Sequence, residues 1–215
     1  MKITKFVHSC LLVETSDRVA LFDPGSMSEQ ALGAVELQRL DDIFITHVHG
    51  DHCHPPLIKQ LLSKFPTVRI TGTDEIVKSL AQEGIKATST PPADVNFFDA
   101  PHESVAPMFP EPEEFGYHYL GALSHPGDSH SFHETKAILA LPVQAPWGST
   151  VRAINLALEL KPQHILPIHD WHWRDEARES MYARLEQVFS EQSITFHKLK
   201  NGVPVEIDIA ADASA

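Results

Sequence analysis

Three imidazoles and one carboxylate fall within six residues of the chain, in the segment Thr46-His47-Val48-His49-Gly50-Asp51-His52. Imidazole is the commonest protein ligand for transition metals, and carboxylate oxygen suits the same borderline divalent ions. The spacing therefore points to a metal centre rather than to a nucleophile–base pair. Gly50 permits the tight backbone path that lets neighbours on both sides converge. The alternative is a solvated histidine-rich loop, because the chain holds 14 histidines in 215 residues and exposed histidine is common. Position decides between the two. The cluster is internal and follows a short apolar run, which a tag remnant does not.

That apolar run, Asp42 to Thr46, reads as a strand buried on both faces and leading straight into His47. Ligand sites of α/β folds sit just beyond such strand ends. Further short β-prone runs cover Ile3–Phe6, Cys10–Glu14 and Arg18–Phe22, and a turn at Asp23-Pro24-Gly25 ends the third. Ser28 to Arg39 is predicted helical. Pro55-Pro56 opens a helix through Phe65 with Leu57, Leu61 and Leu62 on one stripe. Strands are predicted at Thr67–Thr71, Val95–Phe98, Phe115–Ala122, Ala137–Leu141, His164–Ile168, Ile194–Leu199 and Val203–Ile209. Thr73 caps a helix ending at Gly84, Ser149 caps one through Leu160, and Glu176 to Ser190 is helical. No fixed-period repeat and no linker interrupts this order, so residues 1–215 read as one layered α/β domain with a frayed tail at 210–215.

HVHGDH resembles the signature of the metallo-β-lactamase superfamily of hydrolases. Landmarks matching that family follow in order: Asp23 in LFDPG, His102 in DAPHES, Asp128 in HPGDS and His169 in ILPIHD. The resemblance spans residue 8 to about 172. Within the superfamily, VHSCLLVE, LFDP, SHPGDS and LPIHD are similar to the branch that includes ascorbate-6-phosphate lactonase. The resemblance implies a four-layer αββα sandwich with a paired-metal site at one edge. It implies that His47, His49 and His102 hold one metal, that Asp51, His52 and His169 hold the second, and that Asp128 bridges them. Asp51 and Asp128 are then also the catalytic carboxylates. This set offers only imidazole nitrogen and carboxylate oxygen, which suits zinc first and also accepts manganese or iron. Two adjacent divalent ions acidify a shared water and polarise the oxygen under attack. The implied activity is cleavage of a small ester, lactone or related bond. Phosphodiester hydrolysis on the same site and a non-hydrolytic metal-binding protein are the alternatives. Asp23 is expected to orient a ligand imidazole through its free N–H.

Weaker candidates surround this set. His8 reads equally as a strand-end residue or as a neighbour of the site. His125, His130 and His133 crowd Asp128, and each is either a proton donor to the leaving group or a loop histidine. Asp170, Trp171, His172 and Trp173 beside His169 either support the site or pack. Cys53 reads as a buried small residue. The proline-rich stretch 105–117, with Phe109 and Phe115, is read as a lid over the substrate or as a surface excursion.

Composition narrows the partners. The formal net charge is −12 with histidine neutral, which repels phosphate chains and anionic membranes at long range. A small-molecule substrate is expected, with no nucleic acid, no membrane and room for a homo-oligomer. Two cysteines in a chain of this length do not read as a disulfide framework. The first residues lack the apolar core of a signal peptide, and no run approaches the ~18 apolar residues that span a bilayer, so a cytoplasmic protein is expected.

Overall fold

The computed structural model describes residues 1–106 and 108–208. The expected tail at 210–215 lies outside them. Strands β1 (Lys2–Lys5), β2 (Leu11–Glu14), β3 (Val19–Phe22), β4 (Asp42–Phe44), β5 (Arg69–Thr71), β6 (Val95–Phe98), β7 (Gly116–Tyr119), β8 (Leu123–His125), β9 (Ile138–Pro142), β10 (His164–Ile168), β11 (Thr195–Phe196) and β12 (Pro204–Glu206) form two six-stranded sheets. One runs β12-β1-β2-β3-β4-β5 and the other β11-β10-β9-β8-β7-β6. Each sheet joins an antiparallel meander to a parallel half. β1-β2-β3 and β6-β7-β8 are antiparallel; β3-β4-β5 and β8-β9-β10-β11 are parallel. Within each sheet β1, β3 and β4, and likewise β6, β8 and β10, therefore point the same way.

Period-two alternation divides the apolar residues among three cores. On β3, Ala20 and Phe22 face the other sheet while Leu21 faces outward; on β9, Ile138 and Ala140 face inward while Leu139 and Leu141 face outward. The outward residues of the first sheet meet Leu32 of α1 (Glu29–Gly33), Leu57, Ile58 and Leu61 of α2 (Pro55–Lys64), and Ile76 and Leu80 of α3 (Asp74–Gln82). Those of the second meet Ala153, Leu156 and Ala157 of α4 (Thr150–Leu160), and Tyr182, Leu185 and Phe189 of α5 (Asp175–Ser190). Helix, sheet, sheet and helix layers result. Each fully buried Leu, Ile or Phe contributes about 1.5–3 kcal/mol against leaving it in water, which is why the side-chain pattern overrides local propensity. No helix among the described residues is long and apolar enough to cross a membrane.

The middle core is aromatic. Phe22, Phe44, Tyr117 and Tyr119 pack with ring centroids 5.1–6.2 Å apart. Tyr117 also donates its hydroxyl to the carbonyls of Ile45 (2.9 Å) and Thr71 (3.0 Å), tying the second sheet to the end of β4 just before His47.

The strands expected over Phe115–Ala122, Ile194–Leu199 and Val203–Ile209 are shorter, at Gly116–Tyr119, Thr195–Phe196 and Pro204–Glu206, with Ile209 outside the described residues. Two further elements differ more from the sequence expectation. The helix expected over Ser28–Arg39 is a 3-10 turn at Ser26–Ser28 followed by the five residues of α1. Gly33 is a poor helix former, and beyond it Val35 and Leu37 pack against the first core in non-helical backbone. β8, at Leu123–His125, was not expected. It is three residues long, framed by Gly121 and Pro126, and too short to show a period of its own.

Candidate metal centre

The side chains singled out in the sequence come together where the equivalently directed strands end. His8 follows β1, Asp23 follows β3, His47 to His52 follow β4, His102 follows β6, Asp128 follows β8 and His169 follows β10. The loop after β4 is clamped by its neighbours. Ser26 N–H donates to Gly50 O at 2.8 Å, and His52 and Cys53 N–H both donate to His49 O at 2.9 and 2.8 Å. Gly25 is required there, because a Cβ on it would stand 1.6 Å from the carbonyl oxygen of Asp51.

Two groups of ligand-type atoms result, each with members within 4.8 Å of one another: His47, His49 and His102 in one, His8, His52, Asp128 and His169 in the other. Asp128 stands between them. Its Oδ1 lies 2.9 Å from His52 Nε2 and in contact with His169 Nε2; its Oδ2 lies 3.8 Å from His102 Nε2. His52 Nε2 and His169 Nε2 are 3.4 Å apart. Asp51 stands at the rim of the second group, its Oδ2 3.1 Å from His8 Nε2, with 31% of its side chain exposed. It is not one of the four mutually close donors.

A metal fits these residues. His47 Nε2 and both ring nitrogens of His102 are buried without a hydrogen-bond partner among the described residues. Leaving such groups unpaired costs about 1–3 kcal/mol each, and several buried imidazole nitrogens aimed at one point are the donor set of a borderline cation. The opposite nitrogens are held. Asp23 Oδ2 meets His52 Nδ1 at 2.8 Å, and the same carboxylate accepts from Thr46 N at 2.8 Å and Thr46 Oγ1 at 2.9 Å. His47 Nδ1 lies 3.0 Å from Glu114 Oε1 and 3.1 Å from Thr46 Oγ1. Carboxylates at these positions fix ring orientation and leave Nε2 facing the centre.

Charges respond to this packing. Burial disfavours a proton on His47, and the neighbouring His52 adds to that, so its pKa falls well below the usual imidazole value. Burial opposes charge on His52 too, but the carboxylates of Asp128 and Asp23 overcome it and raise its pKa well above normal. Burial would raise the Asp128 pKa; His169 and His52 reverse this and hold it well below the carboxylate range. Burial, followed by the charge of Asp128, pushes Glu114 well up. Backbone strain gathers here as well: His8 (φ 68°), Asp23 (φ 46°) and His169 (φ 62°) are non-glycine residues in the left-handed region.

Glu114 and Trp147 were not found by sequence reasoning. Glu114 Oε1 also accepts from Asp128 N–H at 2.7 Å, so one buried carboxylate braces a histidine of the first group and the central aspartate. A Cβ on Gly127, at φ +64°, would stand 1.8 Å from that oxygen. Trp147 donates Nε1–H to Asp128 Oδ2 at 3.1 Å. Glu114 sits among other acids in EPEEFG and Trp147 in the loop APWGST, and neither context carries a ligand spacing that singles it out.

Several weaker candidates are engaged elsewhere. His125 stacks on Phe22 (5.5 Å, 9°), and its Nε2 pairs with Ser9 O at 2.9 Å. His130 Nε2 pairs with Pro142 O at 2.7 Å, and His133 is exposed. Asp170 is bound by Lys5 Nζ (2.7 Å) and the Tyr182 hydroxyl (2.5 Å). Trp173 packs on the third core, whereas Trp171 is 40% exposed with its ring 6.3 Å from that of His8. Cys53 is buried, as expected.

A cavity of about 180 Å³ opens beside the first group, lined by His49, His102, Val105, Phe109, Pro110, Glu111 and Pro112. The loop expected as lid or excursion thus forms one wall of it. A larger cavity, about 530 Å³, lies against Asp170, Arg178 and Lys198. Its lining holds none of the buried unpartnered imidazoles, so size does not make it the reaction site.

A family model described as a beta-lactamase superfamily domain matches residues 2–169. Protein Rv0786c of Mycobacterium tuberculosis is 29% identical over 199 residues, covering 87% of this chain and 92% of that protein. The metallo hydrolase Igni18 of Ignicoccus hospitalis superposes with a TM-score of 0.68 at 18% identity, over 96% of this chain and 99% of that one. The metallo-beta-lactamase fold protein YhfI of Bacillus subtilis gives 0.68 at 19% identity, over 95% and 98%. The two sheets, their helical outer layers and the family match agree: this chain belongs to the metallo-β-lactamase superfamily.

Proposed function

We propose that the protein is a metal-dependent hydrolase that cleaves a small ester, lactone or related bond at a paired-metal centre. The observation that carries this reading is the position of Asp128, with one carboxylate oxygen toward His52 and His169 and the other toward His102. In this reading His47, His49 and His102 would hold the first cation, and His52 and His169 the second. Asp128, which faces both groups, would be shared between them, with Asp51 at the rim of the second. Zinc suits the donors first; manganese and iron remain compatible with them. Paired divalent cations would supply an acidified water and polarise the scissile oxygen. The chain's own part is orientation. Asp23 holds His52, Glu114 and Thr46 hold His47, and Trp147 holds Asp128, so the inward donors are set before substrate arrives.

The cavity beside His49 and His102 supports a small, uncharged substrate. Its other walls among the described residues are Val105, Phe109, Pro110 and Pro112, with Glu111 as the charged member and no Lys or Arg. A dry apolar cavity of about 150 Å³ accepts benzene, so this one matches an acyl, alkyl or aryl group of about that size. Arg152, the cation beside the His102 segment, is occupied by Glu103 at 2.8 Å. Within the superfamily we place the chain beside the ascorbate-6-phosphate lactonase-like branch. The lactone chemistry of that branch fits the cavity better than its phosphate, for which the lining offers no cation.

A panel of aryl esters and lactones, assayed with and without chelator and with metal added back, tests the reading. Chelator-sensitive turnover of at least one ester or lactone is expected, with little on labelled RNA. Cleavage of RNA or an aryl phosphodiester, with every ester and lactone inert, would overturn it.

A further inference from the structure

His8 is not among the residues that the family pattern assigns to metal, yet it occupies the second group. It is buried in the turn between β1 and β2, its ring centroid 3.8 Å from that of His169 and 5.1 Å from that of His52. Among the described residues neither of its ring nitrogens has a hydrogen-bond partner; Nε2 lies 3.1 Å from Asp51 Oδ2. Its backbone is left-handed at φ 68°. Buried unpaired ring nitrogens and a strained backbone both destabilise the fold. A shared cation gives one of these nitrogens a partner, since the ligand atom of His8 and those of His52, Asp128 and His169 lie within 4.8 Å of one another.

We propose that His8 is a further ligand of the second metal, beside His52, His169 and the Asp128 carboxylate. Asp51, its side chain 31% exposed and its Oδ2 3.1 Å from His8 Nε2, stands at the rim of that set. The inference rests on the paired-metal reading and deepens it. Imidazole-rich sites suit ions such as zinc and iron, whereas manganese and magnesium want oxygen donors.

The test is zinc titration of the metal-free full-length protein by calorimetry, with bound metal counted by elemental analysis. Wild type should take two equivalents. His8→Asn, chosen because asparagine tolerates the left-handed backbone, should keep one tight equivalent and bind the other at least about tenfold more weakly. Asp51→Asn should weaken the second equivalent less than His8→Asn does. Two equivalents at wild-type affinity in His8→Asn would overturn the assignment and leave the paired-metal reading intact; fewer than two in wild type would overturn both. A measurement on wild type avoids dependence on the variant's folding. In ¹⁵N-histidine-labelled protein, the His8 ring should show a zinc-ligated nitrogen shift together with His52 and His169. An unshifted His8 ring in two-zinc protein would reject the proposal.

Discussion

The two donor groups are built differently although they share Asp128. His47, His49 and His102 form an open group: His49 is exposed, and the apolar cavity begins at His49 and His102. His8, His52, Asp128 and His169 form a closed one, with all four buried and His8 and His169 in strained backbone. The closed group is locked from outside by Asp23 on His52 and by the Lys5–Asp170–Tyr182 cluster next to His169. The difference teaches a division of labour. The closed group holds charge in fixed positions, and the open group faces what is to be bound.

Breaking the shared residue should erase the contrast. Asp128→Ala removes the carboxylate that faces both groups, so hydrolysis should fall to background, and elemental analysis should find neither site filled. Retention of two metals would mean that the groups are independent. Asp23→Ala should strike the closed group harder than the open one. It strips the partner from His52 Nδ1 directly, and second-equivalent zinc affinity should drop about 10–100-fold in a calorimetric titration, while the first equivalent, which Asp23 reaches only through Thr46, changes less.

The closed group should also make the metal-free protein acid-sensitive. Burial, aided by His169, pushes His8 down to about 4. Between the ordinary imidazole value near 6.5 and about 4, the unfolded chain binds this proton and the folded chain does not. Stability should therefore fall as pH drops through that window, by up to about 1.4 kcal/mol per pH unit. His52 works the other way. Its raised pKa contributes stability below the unfolded value that is lost as pH rises through the folded one. Thermal melts of chelator-treated protein from pH 7 to 4 read the balance, and a flat profile would sink the account. The smallest effect belongs to the open group. Phe109, 66% exposed on the cavity wall, should on replacement by alanine raise KM for a bulky ester a few-fold, about 1 kcal/mol of lost apolar contact. The kcat and metal content should not change.

Legibility in the sequence followed local information. α2 and α4 came within a residue of expectation because each carries its own start signal, Pro55-Pro56 and Ser149. The HVHGDH cluster was visible because its donors lie side by side. The helix expected over Ser28–Arg39 shrank to α1 because packing of Val35 and Leu37, a long-range matter, outweighed the local pattern. Glu114 and Trp147 escaped because each reaches Asp128 only through space: 14 residues separate Glu114 from it and 19 separate Trp147.

Residue type and spacing along the chain determined that the protein carries imidazole and carboxylate donors after buried strands, and through the family landmarks they determined the superfamily. Only the tertiary structure decided that His8 rather than Asp51 stands among the mutually close donors, that His125 and His130 are spent on backbone carbonyls, and that the cavity wall is apolar. Donor type is a property of single residues. Which of its nitrogens a buried histidine leaves unpaired depends on every neighbour the fold brings within about 3 Å, the reach of a hydrogen bond.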